Sequence, residues 1–246
     1  MMVGAAVTIA ACATGARPKL QPAPASPLPP DAAFVDRTGR SIDASGSHRT
    51  IVAHAVGHSV GVYDTPSPKT LRVRLRSPQQ FGTPLVFVVL ESRTGWMRVR
   101  LPTRPNGSTA WIRSRDVRLS WHTYRIVVEL HAHRVTVYNG TVVIAREPAG
   151  IGTLETPTPS GTYYTKELIQ TLNRRGPYGP YAYELSGFST VLTHFNGGDG
   201  VIGIHGTNQP SLIGRDVSHG CIRISNEAIT RFAKLLPIGV PVEIRA

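Results

Sequence analysis

The chain has 246 residues, 41% hydrophobic and 17% charged, which suits one large globular domain or two small ones with a sizeable core. Its net charge of +12 predicts attraction to polyanions. No zinc-finger spacing, RNA-binding signature or basic helix supports nucleic acid, and an anionic surface such as a cell wall or membrane fits the charge. The two cysteines, Cys12 and Cys221, make no disulfide framework, and no stretch after the N-terminus has the length of a membrane span, so a soluble body is expected.

Met1 to Ala16 are small and apolar, as in the core of a secretory signal. Ile9-Ala10-Ala11-Cys12 resembles the bacterial lipoprotein box, in which the cysteine is lipidated, although no Lys or Arg precedes the apolar run. A plain cleaved signal fits the same run. Arg17 to Pro30 carry six of the twenty prolines, interleaved with alanine and serine, the composition of an extended tether. Residues 1–30 are therefore expected to be signal and linker, and export to the outer face of the cytoplasmic membrane follows.

A first folded unit is expected over residues 31–119. Leu71-Arg-Val-Arg-Leu-Arg76 alternates apolar residue against arginine, as a half-buried strand does, and Met97 to Leu101 repeat the pattern. Pro84 to Leu90 form a continuous apolar run of strand length. Short strands between Pro, Gly and Ser turns predict a small barrel or sandwich. Gly95-Trp96 and Ala110-Trp111 resemble the paired Gly-Trp elements of bacterial SH3-like domains, with Ala110 in place of the second glycine. That resemblance implies wall-peptide binding or a spacer role. Trp96 and Trp111 are expected to pack the barrel core, and Arg72, Arg74, Arg76, Arg98 and Arg100 to form a solvated outer face.

A second unit is expected over residues 120–246. Ile126 to Leu130 read as a strand, and Arg134–Tyr138 and Thr141–Ala145 as a hairpin turned by Asn139-Gly140 in a type I′ turn. Glu155 to Gly161 form a proline-held loop. The Gly/Pro/Tyr-rich stretch after Lys166 reads as a lid or groove wall, with Tyr178, Tyr181, Tyr183 and Phe195 either lining that groove or simply packing the loop. Val201 to Ile204 are a short buried strand delivering His205. Asn226 to Leu236 are a helix capped by Asn226 with an apolar stripe of Ile229, Phe232, Ala233 and Leu236. Val240 to Ile244 close the chain as a strand placed at a sheet edge by Pro241.

The chemistry concentrates between His205 and Asn226. Cys221 has His219 two positions before it and His205 sixteen before it, the pattern of a thiol nucleophile and its base. A thiol attacks as thiolate, and an imidazole can take its proton and pass it to a leaving amine. Gly220 lets consecutive N–H groups of Ser218-His219-Gly220-Cys221 converge as an oxyanion site. Arg223 and Asn226 are placed to brace the loop or hold a carboxylate. An inert buried thiol is the bland alternative. A zinc site on His205, His219 and Cys221 lacks a second cysteine or a close His-x-His pair. Papain-like enzymes place cysteine before histidine, the reverse of the order here.

Ile204-His205-Gly206-Thr207 with Ser218-His219-Gly220-Cys221-Ile-Arg223-Ile-Ser-Asn226 resembles the signature of the L,D-transpeptidase (YkuD-type) catalytic domain, supported by Thr156-Pro-Thr-Pro-Ser-Gly161 and the terminal helix and strand. The resemblance implies a mainly β fold: a YkuD-like β-sandwich with a short C-terminal helix, preceded by the SH3-like barrel. It implies Cys221 as nucleophile and His205 as proton donor and acceptor. His219 would help orient or stabilise charge, the N–H groups of His219, Gly220 and Cys221 would be oxyanion donors, Arg223 and Asn226 would support the site, and Ser218 would be structural. The partners implied are peptidoglycan stem peptides as donor and acceptor, with carbapenems as acylating inhibitors and no metal or organic cofactor.

Overall fold

The computed structural model describes residues 40–42, 48–194 and 198–246. The expected signal, Cys12, the proline-rich linker and Phe195 lie outside the described residues. Among those described, no helix is long and apolar enough to cross a membrane.

The first unit is built of β1 (Arg40–Ile42), β2 (His48–Ala55), β3 (Ser59–Tyr63), β4 (Leu71–Arg76), β5 (Val86–Arg93), β6 (Trp96–Arg100), β7 (Thr109–Arg113) and β8 (Val117–His122). They pair in the order β1-β2-β5-β6-β7-β3-β4, with β8 also on β2. Val60, Val62, Phe87, Val89, Met97, Val99, Ala110 and Ile112 fill its core. Strand alternation decides which side chains can join them. Because Met97 opposes Ile112 and Val99 opposes Ala110 on the inner face, Trp96 and Trp111 lie on the other face of the sheet. Neither tryptophan therefore joins the inner-face cluster, contrary to the sequence expectation, although Trp111 is buried on the opposite face and Trp96 partly so. Trp96 meets Tyr63 edge-on at 5.0 Å, and the Arg93 guanidinium covers Trp111 at 4.7 Å. Two further corrections concern arginine-rich strands. β4 is exposed on both faces except at Leu75, since it pairs only with β3 at the end of the sheet. Arg100 is half-buried, within electrostatic reach of Tyr164 in the second unit.

The second unit comprises β9 (Tyr124–Glu129), β10 (Arg134–Asn139), β11 (Val142–Pro148), β12 (Ile151–Gly152), β13 (Gly161–Gln170), β14 (Tyr181–Phe188), β15 (Val201–His205), β16 (Asp216–Ser218), β17 (Ile222–Arg223), α1 (Asn226–Leu235) and β18 (Pro241–Arg245). The path β11-β10-β9-β18-β13-β14-β15-β17 is continuous, while β12 and β16 pair apart from it. β13 joins the two halves: Gly161–Tyr164 pair with β18, and Thr165–Gln170 with β14, across a register shift. Both halves feed one core, with Ile126, Val128, Val135 and Val137 from one and Tyr183, Leu185, Ile202 and Ile204 from the other. Val52, Val86 and Val88 of the first unit join this core, so the two units share buried surface.

Three local expectations change. The β10–β11 hairpin forms, but Asn139 pairs with Val142 and only Gly140 takes a left-handed φ, +59°, so the turn is not type I′. β18 is central, parallel to β9 and antiparallel to β13, because Pro241 stands at its first position, where a missing N–H is tolerated. Helix α1 is capped by Ser225, whose Oγ accepts from the Ala228 N–H at 3.0 Å, which frees Asn226 for another task. Ala228, Ile229, Phe232 and Leu236 bury one face of the helix, each of the larger three contributing about 2 kcal/mol. Tyr183 donates its hydroxyl to the Phe232 and Leu236 carbonyls at 3.0 and 2.9 Å, tying the helix end to β14.

Candidate active site

β15 and β17 bring the thiol and a histidine together. They run parallel, Ile204 beside Ile222 and His205 beside Arg223, so one step back sets Gly203 beside Cys221. Alternate residues share a face of a sheet. Cys221 and His205 therefore stand on one face as diagonal neighbours, about 7–8 Å apart at the backbone and within reach of an imidazole. Gly203 leaves the space between them without a side chain. A Cβ there would lie 2.7 Å from the Tyr183 carbonyl on β14. Across that strand Glu184 opposes Gly203 and Ala182 opposes His205. Two rows thus cross the sheet, Glu184–Gly203–Cys221 and Ala182–His205–Arg223.

The electrostatics set the resting protonation. His205 is buried, and burial lowers its pKa from 6.5 to about 4, with the Gly206 carbonyl opposing the shift and Arg223 adding to it. Its Nδ1–H donates to that carbonyl at 2.6 Å, which assigns the unprotonated lone pair to Nε2. Burial pushes the Cys221 thiol above its ordinary value; a hydrogen bond from the Gly203 backbone and the Arg223 charge pull it back, and Glu184 raises it. Near neutral pH the pair therefore rests as neutral thiol and neutral imidazole rather than as an ion pair. Such a site needs a base at the moment of attack, and Nε2 is one.

The loop before Cys221 is held by its own side chain. Ser218 Oγ donates to the Cys221 carbonyl at 2.6 Å and accepts from the Gly220 N–H at 3.1 Å. Gly220 takes φ +109°, a turn that favours glycine. Its N–H, expected among the oxyanion donors, is committed to Ser218. The 153–160 loop lies beneath: the Thr153 N–H and Thr156 Oγ1–H both donate to the Ser218 carbonyl at 3.1 Å. Asn226, expected as a helix cap, instead accepts through Oδ1 from the Thr207 N–H at 2.8 Å, wedged where a Cβ on Gly179 or Gly206 would collide with it. Arg223 reaches Gln209 at 3.4 Å, and its backbone pairs with Gly150 in both directions at 2.8 Å. His219 is exposed, in contrast to His205.

Residues 123–244 match the family model described as the L,D-transpeptidase catalytic domain, YkuD. They are a catalytic domain of that family. The YkuD L,D-transpeptidases of Bacillus licheniformis and Bacillus subtilis are each 35% identical over 121 residues, 49% of this chain and 65% of theirs. The chain thus matches just under two thirds of the length of these relatives. A solved structure of L,D-transpeptidase 3 from Mycobacterium tuberculosis aligns with 79% of this chain and 98% of its own at 16% identity and a TM-score of 0.43.

Within the L,D-transpeptidase domain, the structure adds residues that the motif alone did not single out. Gly203 sits two residues before His205, and only the strand register reveals that it faces the thiol. Glu184 is 37 positions upstream of Cys221 and its place beside the site depends on β14–β15 pairing. Tyr178 puts its ring edge-on to His205 at 4.8 Å, so the Gly/Pro/Tyr-rich stretch does border the site. Tyr183, in contrast, is fully buried under α1 and lines no groove.

Proposed function

We propose that this chain is a cysteine-dependent L,D-transpeptidase that forms 3–3 cross-links in peptidoglycan. The observation that carries the reading is the Nδ1–H bond of His205 to Gly206, which leaves Nε2 as base on the face it shares with Cys221. In the first half-reaction Nε2 takes the thiol proton as Sγ attacks the carbonyl of the third residue of a tetrapeptide stem. The Cys221 N–H supports the oxyanion. The C–N bond then breaks, the imidazolium returns the proton to the departing amine, and D-alanine leaves a thioester on Cys221. In the second, an acceptor amine loses its proton to Nε2, attacks the thioester carbonyl and expels the thiol. Arg223 faces the site and supports binding of a stem carboxylate.

On this reading the first unit is an SH3-like wall-binding or spacer module. The N-terminal segment exports the chain and tethers it through Cys12, with the basic surface facing an anionic wall. Carbapenems acylate the same thiol. The test is incubation of the purified protein with disaccharide-tetrapeptide and separation of products by mass. Tripeptide–tetrapeptide dimers that vanish with Cys221→Ala and His205→Ala support cross-linking, tripeptide alone identifies a carboxypeptidase, and no product from folded parent protein refutes the reading.

A further inference from the structure

One junction between the two units lies where β14 turns into β15. A loop of the first unit, between β6 and β7, carries Arg104 and Asn106 into that turn. Asn106 grips the backbone of Phe188 at two points, its Nδ2–H donating to the carbonyl at 2.8 Å and its Oδ1 accepting the N–H at 2.9 Å. Arg104 lies over the Phe188 ring at 4.9 Å and donates to three carbonyls: Ser189 at 3.0 Å, Leu192 at 3.2 Å and Asp199 at 3.0 Å. Those carbonyls belong to both arms of the turn, and the Ser189 N–H closes it on the Gly200 carbonyl at 2.8 Å. Phe188 is the last β14 residue in register with β15, opposite Val201. Two residues beyond Val201 is Gly203, whose backbone contacts the thiol, and four beyond is His205.

A planar guanidinium presents five donors in a fixed fork, so one Arg104 side chain can fix three carbonyls relative to one another. The ladder between Phe188 and Glu184 is irregular, so pairing along β14 alone does not set the height of Val201. The clamp supplies that constraint from the other unit.

We propose that Arg104 and Asn106 are positioning residues for the Cys221 site, acting through the β14–β15 turn, so that the first unit is a working part of the catalytic domain. The catalytic consequence rests on the proposed transpeptidase reading; the effect on the thiol does not. Without the guanidinium, β15 loses its anchored start, Gly203 drifts from the sulfur and the thiol titrates at higher pH.

The test uses the full chain with Arg104→Met, which keeps the stem without the donors, and Asn106→Ala as a milder second variant. Cys221 alkylation by iodoacetamide is followed against pH at a temperature where circular dichroism shows each variant folded. The expected result is a pH midpoint moved upward, an alkylation rate about tenfold lower below that midpoint, and faster amide exchange over 198–205. In Arg104→Ala, a further variant whose truncated side chain leaves room for the missing group, added ethylguanidinium should restore part of the rate. A merely structural contact would lower the melting temperature and leave the midpoint unmoved. The proposal is overturned if Arg104→Met and Asn106→Ala, both folded, leave the midpoint unmoved and the rate within about twofold of the parent, the scale of a local contact without coupling. If the midpoint moves but the parent makes no cross-linked product, the clamp stands and the transpeptidase reading falls.

Discussion

Acidification should unfold this protein through its buried histidines. His122 and His205 both have pKa values lowered from 6.5 to about 4, each chiefly by burial. For His122 the Gly239 backbone opposes the shift and His54 adds to it. For a base whose folded pKa lies below its unfolded value, the native state binds fewer protons between the two. Stability from that group is therefore complete above pH 6.5 and is lost as pH falls to about 4. Each such shift is worth about 3–4 kcal/mol and the two together about 7, against a total of roughly 5–15 for a typical domain. In urea unfolding at intervals from pH 7.5 to 4.5, these two imidazoles should contribute a slope of up to about 2.7 kcal/mol per pH unit, two protons' worth, to which His54, also lowered by burial, adds. His122→Asn or His205→Asn should each remove about half of that slope. Retention of the full slope in both variants would show that these imidazoles are not the groups that resist protonation, and the assignment of a neutral resting His205 would fail with it.

The same protonation pattern predicts a broad plateau in kcat/KM. Its acid limb should lie near pH 4, where His205 gains a proton, and its alkaline limb above the ordinary cysteine range; an acid limb near 6.5 would contradict the burial argument. Gly203→Ala forces a Cβ against the Tyr183 carbonyl, now 2.7 Å away, and should cost about 1–3 kcal/mol in urea and slow alkylation of Cys221. Asn226→Ala strands the Thr207 N–H, a cost of about 1–3 kcal/mol, with a lowered melting temperature as the readout.

Local pattern was the readable part of this chain. Val201–His205 and the helix stripe of Ile229, Phe232 and Leu236 follow directly from apolar spacing, and the His-before-Cys order with its flanking glycines pointed to the thiol domain. What alternation could not convey was which face of a strand is inside. Trp96 and Trp111 are large and apolar enough for a core, but Met97, Val99, Ala110 and Ile112 hold the inner positions. Pro241 was read as an edge signal, although at the first residue of a strand its missing N–H harms no ladder. Asn226 sits where a cap would, yet Ser225 one residue earlier has the extended backbone a cap needs, and the difference is invisible in composition. The contributions of Glu184, Arg104 and Asn106 are long-range pairings, and no local spacing encodes them.

The claim on which the rest depends is that Cys221 accepts an acyl group with His205 as its base. Intact-mass measurement after incubation with meropenem tests it most directly. The parent protein should gain a single covalent adduct, Cys221→Ala none, and His205→Ala an adduct only slowly. A folded parent protein that gains no mass, or an adduct that persists in Cys221→Ala, would contradict the account.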